Sequence, residues 1–253
     1  MKTSMWKKQK PILNPMGKPI IATNMSKKTN LKSLSRFLQI LDGTFPSGIF
    51  IHSFGLEPHI IKNSVKNIDD LEIYLKNLII DQYAKMEFVS IQKVYEALEN
   101  KKLNLLKKLD KEFGAYLTFE YAKASQDIGQ NYFAQIKNLP TKKSVKEYFS
   151  LIENRSCPAN EVIVLSALAY DLDIAMEDFI VMWTKKNLIN IAATSLKISR
   201  IKPSEIQQML FEFDAILEAL GFENINNKIT NFNPLFEEII FSHKNLEPKM
   251  FTT

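Results

Sequence analysis

One cysteine, Cys157, in 253 residues rules out an intrachain disulfide and any all-cysteine zinc site. A reducing, cytoplasmic setting is the expectation that follows. Glycine is scarce as well, with only 7 in the chain. Sandwiches, barrels and nucleotide-binding sheets spend glycine on tight turns, so the shortage favours helices. No stretch approaches the roughly 20 apolar residues that a membrane span needs. The opening MKTSMWKKQKPILNPMGKPIIATNMSKKTN is basic but has no unbroken apolar core like that of a secretory signal. Strand-like alternation, internal repeats and glycine-rich linkers are also missing.

Acidic residues are absent from the start of the chain. The first 41 residues carry nine Lys or Arg and no carboxylate, and Asp42 is the first acid. The overall charge of +5 therefore hides a body with 24 basic and 28 acidic residues, a net of −4. Such a body is not a basic nucleic-acid binder. Residues 1–30 read as a disordered basic arm with weak attraction for an acidic partner.

What is present is helical periodicity. Leu34, Phe37, Leu38 and Leu41 fall on one stripe from Leu31 onward. Gly43 and Pro46 break that helix, and Ser47 is placed to cap the next, through about Asn63. A long helix follows NIDD, with Leu71, Tyr74, Leu75, Leu78 and Ile79 on its apolar face and a capping box at Asp69–Glu72, running to Glu99. KKLNLLKKL, TFEYAKASQDIGQNYFAQI and SVKEYFSLIEN are three more; Ala122, Ser125 and Gly129 in the second invite close approach by a neighbour. Asn160 opens an apolar helix, Asp173 a long one, and Pro203 one that ends at Gly221. A last helix starts after Pro234 and fades near His243. The sum is an all-α, single-domain bundle of about nine or ten helices from residue 31 to 253.

The segment GTFPSGIFIHSFGLE, Gly43 to Glu57, is the one place where chemistry could gather. His52 and His59, on one helix, would stand about 10 Å apart along the axis. Two ligands of one ion need nitrogens about 2 Å from it, so no metal site within one chain is expected, while a weak or symmetric site shared across a dimer stays open. HSFG is not the strand–turn–helix elbow of a hydrolase, and no phosphate-cradling loop occurs. The residues read instead as packing: Pro46 and Gly48 as a turn, Gly55 as a point of close helix approach, Phe50, Phe54 and Leu56 as apolar contacts. His52 is then a core or interface histidine and Glu57 a partner for a backbone or basic group. The alternative is a helical-bundle enzyme with a metal or small-molecule pocket around Asp42, His52 and Glu57.

This stretch resembles the urease accessory protein F family, which carries a pattern close to L-Q-L-x-D-x-x-x-P-x-G-x-F-x-H-S-x-G-L-E. Here it reads Leu38, Gln39, Ile40, Leu41, Asp42, then Pro46, Gly48, Phe50, His52, Ser53, Gly55, Leu56 and Glu57. KASQDIGQ is similar to the family's A-S-x-x-x-G segment at Ala124, Ser125 and Gly129. SHKNLEPKMFTT is similar to its tail, with His243 and Leu246 retained and Phe251 near the end. Lys249 stands for the family's tail arginine and Glu247 for its tyrosine; only Glu205 and Gln207 echo a segment after the long late helix.

The resemblance implies a non-enzymatic, all-helical, homodimeric assembly factor with no cofactor of its own. Such a protein bridges a D-type (or H-type) accessory protein to a G-type GTPase, docks on apo-urease and couples GTP hydrolysis to nickel insertion. It implies no nucleic-acid or membrane partner. The end of the chain, residues 234–253, is expected to order on the D-type partner, burying Met250 and Phe251 with Lys249 paired to an acid. Lys197 is expected to modulate the GTPase.

Overall fold

Ten α-helices, with no strand among the described residues, make up a single bundle-like domain in the computed structural model, which describes residues 30–219, 228–230 and 241–252. They are α1 (Leu31–Leu41), α2 (Leu56–Ile61), α3 (Ile68–Asn77), α4 (Glu87–Glu99), α5 (Leu103–Phe113), α6 (Phe119–Ile136), α7 (Lys143–Glu153), α8 (Glu161–Asp171), α9 (Met176–Ile198) and α10 (Pro203–Ala219). The expected arm, the C′ glycine at Gly221 and most of the helix after Pro234 lie outside the described residues.

The bundle is built around α8. Its residues from Val162 to Ala169 are all buried, because EVIVLSALAYD is apolar on every face. Helices α4 and α6 flank it, and α9 crosses it on the way to α10. Gly129 sits where α6 meets the backbone leading into α8: a Cβ there would lie 1.9 Å from Ala159 O and 2.7 Å from Glu161 N. Ser125, one turn earlier, accepts the Glu161 amide at 3.3 Å. The small residues of KASQDIG are thus required by a near-contact of two backbones.

A buried carboxylate fixes the start of α8. Asp110 Oδ1 and Oδ2 accept from Asn160 N at 2.9 Å, Ala159 N at 3.1 Å and Tyr148 Oη at 3.0 Å. Burial pushes its carboxyl above the ordinary value, and these hydrogen bonds oppose the push. The arrangement caps α8 from another helix, since Asn160 itself makes no side-chain cap.

Several helix expectations are corrected. The stretch from Asp69 to Glu99 is two helices, because a π-helical turn at Leu78–Tyr83 and a turn at residues 84–86 intervene. Leu78, Ile79, Gln82 and Tyr83 of this wide turn are all buried. The cap of α3 is Asn67, whose Oδ1 accepts the Asp70 amide at 2.9 Å, while Asp70 Oδ2 reaches back one residue further to accept from Lys66 N at 2.9 Å. In α1 the buried pair is Phe37 and Ile40, whereas Leu34 and Leu38 are exposed, because only the Phe37 side packs, edge-on against Phe179 of α9.

Candidate functional site: a C-terminal strap on the Pro46–Glu57 segment

Residues 42–55 form a chain of tight turns rather than a helix. Asp42 ends α1 and accepts from Thr44 N at 2.8 Å and from the Thr44 hydroxyl. Phe45 stacks on Tyr132 with centroids 5.3 Å apart. Gly48 adopts the left-handed conformation, φ 77°, and begins a short 3-10 turn, Ile49–Ile51, with no side-chain cap; the expected cap at Ser47 is absent. Ser47 is instead buried, with its carbonyl accepting from Asn131 Nδ2 at 3.0 Å.

Phe54 and Gly55 are both left-handed, with φ of 51° and 82°. The non-glycine Phe54 is held there by its own carbonyl, which accepts Tyr74 Oη at 2.9 Å and Tyr121 Oη at 3.2 Å. Gly55 therefore serves backbone conformation, its φ being one that residues with a Cβ rarely adopt. The turn aims α2 inward, so that Leu56, Glu57, Pro58 and His59 are all buried. The apolar residues divide: Leu56 is fully covered, Phe54 is half-buried, and Phe50 is 49% exposed with the tip of its ring against Gly43.

Glu57 is fully buried and gathers the far end of the chain. Its Oε2 meets His243 Nε2 at 2.9 Å and accepts Phe251 N at 3.3 Å; its Oε1 accepts Met250 N at 2.7 Å. Ile51 O accepts both the amide of Thr252, at 2.8 Å, and its hydroxyl, at 2.7 Å. The described strap, residues 241–252, thus lies across the turn segment, fixed through one carboxylate and one carbonyl. The sequence assigned Glu57 a backbone or basic partner without locating it; both kinds are found 186 to 194 positions away.

The histidines do not act together. His52 is in extended backbone after the 3-10 turn, while His59 belongs to α2, so the single helix assumed for their spacing does not exist. His52 Nδ1 lies 3.4 Å from the Thr252 hydroxyl; His59 Nδ1 lies 2.8 Å from Gly55 O, its ring edge-on to Tyr74. Burial lowers the pKa of both. Ser53 is buried and its hydroxyl has no hydrogen-bond partner among the described residues. Asp42 is exposed, its carboxylate engaged by Thr44, so the imagined Asp42–His52–Glu57 pocket is not one cluster. Among the described residues no group of three or more His, Cys, Asp or Glu could hold a metal ion.

The strap residues fall into two sets. Phe251 is buried, and Lys197, exposed in the last turn of α9, holds its ammonium 5.2 Å from the Phe251 ring centre. Burial of Phe251, expected to need a partner, is achieved within the chain. Met250 is 60% exposed, Lys249 is exposed and without an ion pair among the described residues, and Leu246 is half-buried with its amide on His243 O. Gln39 lies on the open side of α1, and Pro46 is exposed at the turn.

A second polar cluster, under this platform, had no forecast. Glu161, at the start of α8, pairs with Lys186 Nζ and accepts Trp183 Nε1 at 3.0 Å. Burial works against the charge on Lys186, but Glu161 and Tyr132 together hold its pKa above the ordinary value. The signal in the sequence was faint: Lys186 recurs with Phe179, Trp183 and Asn190 on the buried stripe of α9.

Comparison with known proteins adds a family likeness. The model of the UreF family matches residues 65–214, more than half of the chain. A relative named urease accessory protein UreF, from Bacillus sp. (strain TB-90), is 24% identical over 189 residues, covering 74% of this chain and 83% of its own. The family-model match begins after the Pro46–Glu57 segment and ends before the strap.

Proposed function

Since the chain belongs to the UreF family, we propose that it is a urease maturation factor that works by presenting surfaces to other proteins. It is a scaffold that links the D-type (or H-type) accessory protein to the G-type GTPase, modulates that GTPase, and so serves nickel insertion into apo-urease. The observation that carries this reading is the strap. A buried carboxylate spends its hydrogen bonds on holding the chain's own end in place, not on a substrate.

The surface around the strap supports a protein partner. Phe50, Ile51 and Met250 are each about half exposed or more, while Thr252 and Glu57 fix the backbone beneath them. Exposed aromatic and methionine side chains on a fixed backbone suit a protein interface. We assign this face, with His243, Leu246, Lys249, Met250 and Phe251, to the D-type protein. Lys197 joins it to the end of α9, where the GTPase would engage. Homodimerisation is supported by Leu31, Leu34 and Leu38, exposed at i, i+3 and i+7 on α1, an apolar stripe that a second copy would cover. No helix among the described residues is long and apolar enough to cross a membrane.

Mixing the chain with its D-type and G-type partners and running size exclusion tests the reading. A joint complex eluting ahead of each component is expected. Separate elution of all three at micromolar concentration would overturn it.

A further inference from the structure

Between α4, α6, α8 and α9 lies a cavity of about 30 Å³, whose lining includes Glu87, Tyr121, Ser125, Glu161, Trp183 and Asn187. A single water needs roughly 10–15 Å³ on this measure. Glu87 is 4% exposed. Its Oε1 accepts Gln82 Nε2 at 2.8 Å, while its Oε2 is buried with no hydrogen-bond partner among the described residues. A buried carboxyl oxygen left alone is costly, and a bound water or ion is one way such an atom is satisfied.

Charge sharpens the point. The cavity wall carries two carboxyl groups, Glu87 and Glu161, and Glu161 already has Lys186. The groups around Glu87 are Gln82 and Tyr83 from the π-turn, Tyr121 of α6 and Glu161 of α8, and Lys186 of α9 is engaged by Glu161. None of them is a second cation for Glu87. Above neutral pH the cavity would hold an uncompensated negative charge beside aromatic faces, which attract small cations.

We propose that this cavity is a built site for one small hydrogen-bonding ligand, a single heavy atom in size, seated on Glu87 Oε2. Water and an ammonium-sized cation share that chemistry. Water accepts from the protonated carboxyl or donates to the ionised one; a four-donor cation suits the ionised form alone. Burial pushes the Glu87 carboxyl up to about 7, opposed by Gln82 and by the residue's own backbone amide and reinforced by Glu161, so both forms are accessible. The folded chain holds this proton more tightly than the unfolded chain. Its contribution to stability is therefore greatest at acid pH and falls as pH rises through about 5 to 8.

The test uses the full chain, Glu87→Gln, which keeps an oxygen and the shape, and Glu87→Met, which fills the space. The melting temperature of the wild type should fall relative to Glu87→Gln between about pH 5 and 8. At pH about 8, the Trp183 indole N–H resonance is followed with ammonium chloride and, at equal ionic strength, with tetramethylammonium chloride. A saturable ammonium-specific shift, absent in Glu87→Gln, identifies a cation. No such shift, with a long-lived water cross-peak to Trp183 or Tyr121 that Glu87→Met removes, identifies water. Finding neither, in variants that remain folded by circular dichroism, overturns the proposal.

Discussion

Glu57→Ala is expected to free the strap while leaving the bundle folded. The side chain meets three donors, one from His243 and two from the backbone amides of Met250 and Phe251. A hydrogen bond to a charged group contributes about 1.5–3 kcal/mol. The released amides find water, so the net cost to global stability should be only about 2–3 kcal/mol. The effect should be concentrated in the strap. Amide hydrogen exchange at Met250, Phe251 and Thr252 is expected to accelerate about a hundredfold, because tenfold corresponds to 1.4 kcal/mol. Exchange in α8 should keep its rank as the slowest region, since Glu57 does not touch it. Unchanged exchange at residues 250–252 would mean that Thr252 and Phe251 hold the strap without the carboxylate.

Gly129→Ala should be the most damaging small substitution in the chain. The added Cβ would fall 1.9 Å from Ala159 O, and all three atoms nearest it belong to backbone, so no side chain can swing aside. Helix α6 must move away from α8, which opens the Ser125–Glu161 hydrogen bond and disturbs the capping of α8 by Asp110. Overpacking ordinarily costs about 1–3 kcal/mol; a backbone clash at the centre of the bundle belongs at or above the top of that range. The higher helix propensity of alanine returns about 1 kcal/mol at most. Urea denaturation should show a midpoint lowered accordingly, or an insoluble product. A midpoint within experimental error of the wild type would refute the close crossing of α6 over the start of α8.

How much of this was legible follows from the range of each interaction. Helices α5, α6, α7 and α8 were readable because their signals are local: periodic leucines, small residues at i and i+4, and Asn160 at a start. The break within Asp69–Glu99 was not, because a π-turn preserves the apolar run while changing its pitch. Leu34 and Leu38 looked like core for the same reason; periodicity defines a stripe, but which flank of it is covered depends on α9. Glu57 was recognisable as important within a dense motif. Its partners, nearly 200 residues downstream, are a tertiary fact. Asp110 offered a weak clue, a carboxylate in register with Leu106 and Phe113 on the buried face of α5. Lys186 offered the same kind of clue on α9. A charged residue on an apolar stripe is rarely buried unless paired, and it deserves to be read as half of a pair whose other half is distant.

The strap also changes the reading of Lys197. As a helix-end lysine it could have been merely solvated and favourable to the macrodipole. Its position over the Phe251 ring ties the end of α9 to the chain terminus. Through this contact a partner gripping the strap would alter the setting of Lys197, the residue we assign to the GTPase side.

Binding of the D-type accessory protein to the full chain, measured by calorimetry for the wild type, Glu57→Ala and a chain ending at residue 248, tests the central claim most directly. The account predicts affinity reduced at least tenfold in Glu57→Ala and lost in the shortened chain, with helical content unchanged in both. Wild-type affinity in both variants would contradict it, and would move the partner surface away from the turn segment and the strap it anchors.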